Sequence, residues 1–182
     1  GTKQNCGNGQ FAELSIFSFH PVKHIACGEG GMITTNSKEL YEKLLLLRTH
    51  GITKKPELLH ENHGGWYYEM QVLGYNYRLP DINAALGISQ LERADEGLLR
   101  RKAIAKRYDE AFAKENIMNI IPSEGDGHAY HLYIIRVKNR KRVYDELRKY
   151  NIFAQVHYIP VHTLPYYQSL GYRKGTYPES EH

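Results

Sequence analysis

Residues 14 to 36 read LSIFSFHPVKHIACGEGGMITTN. Two short β-rich runs flank a proline, a lysine set between two histidines, and a glycine cluster. Leu14 to Phe19 alternates in the way of a strand, with Ile16, Ser18 and His20 on one face and Phe17 and Phe19 on the other. It is expected to be a buried strand of a parallel sheet, with a neighbour on each side. Gly31 to Thr35 is expected to form a second strand. No continuous helix can cross Pro21 and the glycines Gly28, Gly30 and Gly31, so this stretch commits the chain to a sheet-containing fold with a tight loop at a strand end.

The next stretch is helical. Asn36 is the expected N-cap with Glu39 three residues on, Leu40, Leu44 and Leu47 form the core stripe, and Gly51 is the stop. Thr53 to Gly74 has no period and reads as a long loop, which in compact domains tends to be functional or mobile. A helix restarts at Pro80, placed at its first position, and Ala84, Ala85 and Gly87 allow another element to come close. A bend is expected near Gly97. After Asn116 the pattern changes to strand, turn, strand, helix and strand. The pieces are IMNII, PSEGDG, YHLYIIRV, NRKRVYDELRKYN (Val143 and Leu147 inward) and IFAQVHYI, the order of a small α+β domain.

Composition removes several classes of function. The net charge is +4 in 182 residues, with the signs mixed along the chain, which gives no footprint for nucleic acid. The basic run Lys138 to Arg142 reads as the start of a solvated helix. Apolar runs such as Leu44 to Leu47 are far too short to span a membrane. The two cysteines, Cys6 and Cys27, are far apart and fit a reducing, cytoplasmic setting rather than a disulfide scaffold. Ten histidines invite a metal reading, but no pair has cysteines at zinc spacing and no HExxH occurs, so no metal is expected. There is no GxSxG elbow for a serine nucleophile.

Lys23 is the residue with chemistry to offer. A lysine at a strand end among apolar side chains can be desolvated, and a desolvated amine is a nucleophile. Ser18, five residues earlier, can give a hydroxyl to an anion, and the glycines let backbone approach a planar ligand. Amine, hydroxyl and open backbone together suit a pyridoxal phosphate Schiff base. A surface lysine beside a plain hairpin turn is the alternative.

SFHPVKHIACGEGGMITTN resembles the cofactor-lysine motif of the DegT/DnrJ family of nucleotide-sugar aminotransferases. LGYNYRLPDINAALGISQLERADE resembles the family's second motif, and QVHYIPVHTLPYYQSLGY its third. The third looks most like the branch that aminates C4 of UDP-linked 4-keto-6-deoxy sugars, as in pseudaminic acid synthesis. The resemblance runs from about Phe11 to the end of the chain. It implies an α/β, fold type I aminotransferase: part of the large pyridoxal phosphate-binding domain over 1–96, then a helical connector and a small α+β domain over 97–182. It implies that Lys23 carries the cofactor and serves as base and acid. It also implies that Ser18 binds the phosphate and that Asn76 reaches the cofactor of the neighbouring subunit in a homodimer. Gln155, Val156, His157, Tyr158 and Tyr167 fall where the family contacts the nucleotide sugar. Glutamate is the implied amino donor. Lys23 argues against the family's dehydratase branch, where histidine stands in its place.

The sequence departs from the family in three places. An Asp-x-x-His element that precedes the lysine strand in the family is not in this chain, Ala26 and Cys27 stand where threonines are common, and the chain stops at YPESEH. The chain is therefore expected to be a fragment that is inactive in isolation, with a non-catalytic protein that dimerises or binds a nucleotide sugar as the rival reading.

Overall fold

The computed structural model describes residues 4–115, 118–119 and 127–181. The chain divides into two compact units, Gly1–Ile134 and Ile135–His182.

In the first unit, β1 (Ser15–Ser18) and β2 (Gly31–Thr34) form an antiparallel pair, with Ser15 opposite Thr34 and Ser18 opposite Gly31. The one described neighbour of β1 is thus antiparallel rather than parallel, and no other described strand pairs with it. The connection between the two runs turns back on itself, so the second strand pairs antiparallel to the first. Ile16 is 79 % exposed. Beyond the strands, the Phe19 N–H donates to the Gly30 carbonyl at 2.8 Å and the Cys27 N–H to the Phe19 carbonyl at 3.0 Å. Two glycines are required here for different reasons. Gly28 has φ +83°, and a Cβ on Gly31 would sit 2.8 Å from the Phe17 carbonyl oxygen.

Helix α1 (Lys38–Arg48) is capped by Ser37, whose Oγ accepts from the Leu40 N–H at 3.3 Å. The expected cap, Asn36, is used elsewhere: its amide donates to the Asn8 carbonyl. Leu40, Leu44 and Leu47 are half-buried, as expected. Gly51, at φ +68°, turns the chain back and donates its N–H to the Leu46 carbonyl.

The loop that follows is more ordered than its composition suggests. β3 (Ile52–Thr53) pairs antiparallel with β4 (Glu69–Met70), with Ile52 opposite Met70. The extended run from Gly74 to Tyr77 then lies against the end of α1. The Tyr75 N–H donates to Leu47, the Tyr77 N–H to Arg48, and the Tyr75 carbonyl accepts from His50 at 2.7 Å. The approach is so close that a Cβ on Gly74 would stand 2.1 Å from the Gly51 nitrogen. Both sides of that contact are backbone, which cannot rotate away. Gly74→Ala is therefore expected to cost about 3 kcal/mol, read as a lowered denaturation midpoint in urea. An unchanged midpoint would show that this seam can open without loss.

Helix α2 (Asp81–Glu92) begins one residue later than expected, with Pro80 as its N-cap. Helix α3 (Ala94–Phe112) follows, and the break between them lies at Arg93 rather than Gly97. The Gly97 N–H donates to the Arg93 carbonyl, so glycine flexibility is not used there. Gly87 brings α2 against the lysine–glycine loop, where an added Cβ would meet Cys27 at 3.5 Å. Cys27 is 1 % exposed. Tyr108 and Phe112 on α3 stack with each other, and Tyr133 packs against both while donating its hydroxyl to Asp109 at 2.7 Å. Burial first, and then the Asp109 carboxylate, hold the Tyr133 phenol well above its ordinary range.

In the second unit, helix α4 (Arg140–Lys149) is capped by Asn139, and Val143 and Leu147 are half-buried as expected. The strand expected over YHLYIIRV shrinks to Ile135–Arg136. The strand expected over IFAQVHYI is absent: residues 152–159 are irregular and exposed. A strand needs a ladder partner for its backbone groups, and no described residue supplies one there. Helices α5 (Pro165–Ser169) and α6 (Pro178–Glu181) close the unit around the buried His162, whose Nε2 is 2.7 Å from Glu181 Oε1. That hydrogen bond, above all, holds the Glu181 carboxyl below its ordinary range. The strands expected over IMNII and the turn PSEGDG fall largely outside the described residues; of these, Met118–Asn119 is a strand. Among the described residues no helix is long and apolar enough to cross a membrane.

Candidate active site

The β1–β2 connection presents Lys23. Its backbone is set by a turn in which the Lys23 N–H donates to the His20 carbonyl at 2.9 Å. Its side chain is half-buried, and Nζ lies 3.4 Å from Nε2 of His131. The next residue, His24, places Nε2 2.8 Å from the Ala129 carbonyl. Ser18 ends β1 and is exposed. Its Oγ accepts a long bond, 3.4 Å, from the His20 N–H, which leaves the hydroxyl's own proton to give to an anion.

The glycine side of the loop is fixed from α2. Asn83 Nδ2 donates to the carbonyls of Cys27 at 2.6 Å and Glu29 at 3.2 Å. Asn83 and His131 were not singled out in the sequence. Asn83 sits inside a helical pattern that also accounts for it as a surface residue. His131 stands in an alternating run that accounts for it as a strand residue. Among the described residues no three His, Cys, Asp or Glu side chains gather as a metal site would need.

Lysine amine, exposed hydroxyl and a loop of exposed backbone held in place by Asn83 can receive a ligand with a carbonyl at one end and a phosphate at the other. An amine can add to a carbonyl carbon as a nucleophile, and a hydroxyl can donate to an anion. Lys23 and Ser18 thus lie at one place.

The other expected residues lie elsewhere. Asn76 is exposed on the extended run against α1, in an isolated bridge with Thr49. Tyr75 and Tyr77, on either side of it, stack at 4.8 Å with their planes 9° apart. Gln155, Val156, His157 and Tyr158 are exposed in the second unit, with the rings of His157 and Tyr158 stacked at 3.6 Å. Tyr167 is half-buried in α5 and meets Tyr166 and Tyr172 edge-on.

Residues 2–182 match the DegT/DnrJ/EryC1/StrS aminotransferase family. The chain belongs to this family. It is 40 % identical over 168 residues to the UDP-4-amino-4,6-dideoxy-N-acetyl-beta-L-altrosamine transaminase of Campylobacter jejuni, covering 89 % of this chain and 43 % of that protein. Among solved structures, the PMP-form of the putative sugar aminotransferase Spr1654 from Streptococcus pneumoniae superposes with a TM-score of 0.84 at 34 % identity, covering 95 % of this chain and 46 % of that one. Helicobacter pylori PseC, an aminotransferase involved in the biosynthesis of pseudoaminic acid, gives a TM-score of 0.79 at 36 % identity, with 93 % and 45 % covered. The fold is that of the fold type I sugar aminotransferases, and the chain spans about half the length of these relatives.

The loop between β3 and β4 is organised by one side chain. The Glu69 carboxylate is 13 % exposed and accepts from the backbone N–H groups of His60 and Glu61, from the Tyr67 hydroxyl and from the Gln71 amide. His60 Nδ1 adds a contact at 2.8 Å. These donors, the His60 backbone N–H first, lower the Glu69 pKa to about 2. Burial first, and then the Glu69 carboxylate, raise that of Tyr67. A carboxylate depressed in the folded state stabilises above its ordinary pKa, and loses that contribution as pH falls through the folded value. The loop is therefore expected to stay closed at pH 5 and to open between about pH 4.5 and about pH 2. Amide hydrogen exchange over residues 58–72 measures this. Glu69→Gln should give the open pattern already at pH 7, and exchange that ignores both pH and the substitution would contradict the assignment.

Proposed function

We propose that the whole protein is a pyridoxal phosphate-dependent aminotransferase that transfers an amino group from glutamate to a keto-sugar linked to a nucleotide, with a UDP-4-keto-6-deoxy sugar favoured. The observation that carries this is Lys23, half-buried in the β1–β2 connection with Ser18 behind it and the Asn83-held glycine loop ahead, in a chain of an aminotransferase family. The names of the Campylobacter relative and of PseC support the sugar class.

The residues fit the cofactor on the structure's own terms: the amine, the exposed hydroxyl and the positive-φ glycine at Gly28 lie on one connection. When bound, pyridoxal phosphate supplies the electron sink. Lys23 would hold it by its Nζ and, as a free amine, would serve as the base and acid that takes and returns a proton. Ser18 donates its hydroxyl to the phosphate. Asn76 reaches the phosphate from a second copy of the chain. Gln155 and His157 give polar contacts to the nucleotide sugar, Val156 and Tyr158 flank them, and Tyr167 offers a ring to the base.

A homodimer is part of this reading, because the role given to Asn76 is played in the site of a second copy. The free cysteines Cys6 and Cys27 agree with a cytoplasmic setting.

The test is to supply the whole protein with pyridoxal phosphate, glutamate and a UDP-4-keto-6-deoxy-N-acetylhexose. The expected products are 2-oxoglutarate and the 4-amino sugar in equal amounts. Keto-sugar left unchanged with every amino donor, by protein shown to bind the cofactor, would overturn the reading.

A further inference from the structure

We infer that Asn83 is the positioning residue of the lysine site. It grips the neck of the β1–β2 connection and so holds the Lys23 amine and the Ser18 hydroxyl at a fixed spacing, for a ligand that engages both at once. The inference rests on the reading of Lys23 and Ser18 as the groups that hold pyridoxal phosphate.

The neck is made of backbone. Phe19 follows Ser18 at the end of β1. Its carbonyl accepts from the Cys27 N–H at 3.0 Å, and its N–H donates to the Gly30 carbonyl at 2.8 Å. These bonds close the loop that carries Lys23 and tie its far end to the residue beside Ser18. Asn83 lies 56 residues from Cys27 in sequence, in the first turn of α2. Its Nδ2 is 2.6 Å from the Cys27 carbonyl oxygen and 3.2 Å from that of Glu29. A side-chain amide carries two N–H donors, and here each has a carbonyl. Two carbonyl acceptors also admit only the nitrogen side of the amide, which fixes its orientation.

Cys27 is the joint of this arrangement. Its N–H bonds to Phe19, its carbonyl accepts from Asn83, and its thiol donates to the Glu29 carbonyl at 3.2 Å. The space around it is filled. A Cβ on Gly30 would come 2.7 Å from Leu79 Cδ1 and 3.0 Å from Cys27 Sγ, and one on Gly87 would meet Cys27 Cβ at 3.5 Å. Packing therefore stops the neck from sliding toward α2, and the Asn83 amide stops it from moving away. The loop and α2 belong to the same unit.

A ligand held at two points gains from the second only if the spacing matches. Ser18 is placed by the β1–β2 ladder, opposite Gly31. Lys23 lies outside that ladder, and the neck is where its loop joins it. Loss of the Asn83 amide leaves two carbonyls without that donor and lets the joint shift. Lys23 then moves relative to Ser18, although neither residue has been touched.

The experiment compares two ligands on the whole protein. Pyridoxal phosphate engages amine and hydroxyl together; pyridoxal has no phosphate and engages the amine alone. Binding of each is followed by the absorbance of the lysine-bound form. Asn83→Ala is expected to weaken pyridoxal phosphate about 10-fold, as when a hydrogen bond is removed and its acceptors are left bare, and to leave pyridoxal unchanged. Asn83→Asp keeps the shape but turns oxygen toward both carbonyls, and is expected to lose at least as much. In the cofactor-free protein, amide exchange over residues 19–31 should quicken in both variants, while that over residues 38–48 stays as in wild type. A role in stability alone would lower the urea midpoint and leave the ratio of the two affinities where it was. That result overturns the inference, as does equal weakening of both ligands or wild-type behaviour of Asn83→Asp. If one variant does not fold, the other decides alone. Borohydride labelling of the wild-type holoenzyme judges the cofactor reading separately. A label on Lys23 with an unchanged affinity ratio sinks this inference alone, and a label on another lysine sinks the reading beneath it.

Discussion

Lys23→Ala is expected to abolish amino transfer, with a loss of at least about 1,000-fold, because under the proposed function one substitution removes both the attachment point and the proton carrier. The absorbance band of lysine-bound cofactor should vanish with it. The fold should not: the side chain is half-exposed and its hydrogen bond is a single contact to His131. Lys23→Arg is expected to be as inactive, since a guanidinium is never deprotonated in proteins and cannot add to a carbonyl. Borohydride reduction of the holoenzyme, followed by peptide mapping, gives the positive form of the result, a label on the peptide that contains Lys23. A label on Lys38 or Lys43, or more than a few per cent of wild-type turnover in Lys23→Ala, would remove Lys23 from its role.

The lysine loop was legible in the sequence because its constraints are local. Proline sets one backbone angle, glycines mark the turn, and alternation marks the strand before it. Those signals survive without knowledge of any partner. The direction of β1 was not legible, since an alternating apolar run does not say whether its neighbour runs parallel or antiparallel. Helix caps shifted by one residue for a similar reason. Asn36 and Ser37 are both good caps, and the choice went to Ser37 because Asn36 is engaged by Asn8, which is distant in sequence.

Residues that act through long-range contacts were hidden altogether. His131 reaches Lys23 across more than a hundred residues, and Asn83 reaches the glycine loop from α2. Nothing in the spacing of either announces a partner. Glu69 illustrates the same limit in a loop. Its stretch has no period, so it read as unstructured, yet its donors converge on one carboxylate, and such order depends on side chains rather than on periodicity. IFAQVHYI failed in the opposite sense. Its pattern is that of a strand, but pattern alone does not supply a ladder, and the residues stay irregular and exposed.

Asn76 is expected to act on the partner's site, and mixing an inactive Lys23→Ala protein with a weakened Asn76→Ala protein should show it. The backbone on either side of Asn76 is tied down at Tyr75 and Tyr77, and those two rings stack on each other. In an extended run the side chain between them points to the opposite side. Asn76 is thus held rigidly and exposed, with the apolar Leu73 and Ile82 exposed nearby in sequence. A side chain held in this way can reach a second chain, as the proposed function requires of it. Its loss should weaken turnover about 10- to 100-fold at limiting cofactor, the worth of a hydrogen bond to a charged group. Combining Lys23→Ala subunits with Asn76→Ala subunits then creates heterodimers in which one site has both mutations and the other has neither. After full exchange, half of the dimers are mixed and each carries one intact site, so specific activity should recover to about one quarter of wild type. A residue serving its own subunit gives no such recovery, because every site with an intact lysine would still lack its asparagine. Activity that stays at the level of the separate variants, with subunit exchange demonstrated by mass, would therefore move Asn76 into its own chain's site or out of the site altogether.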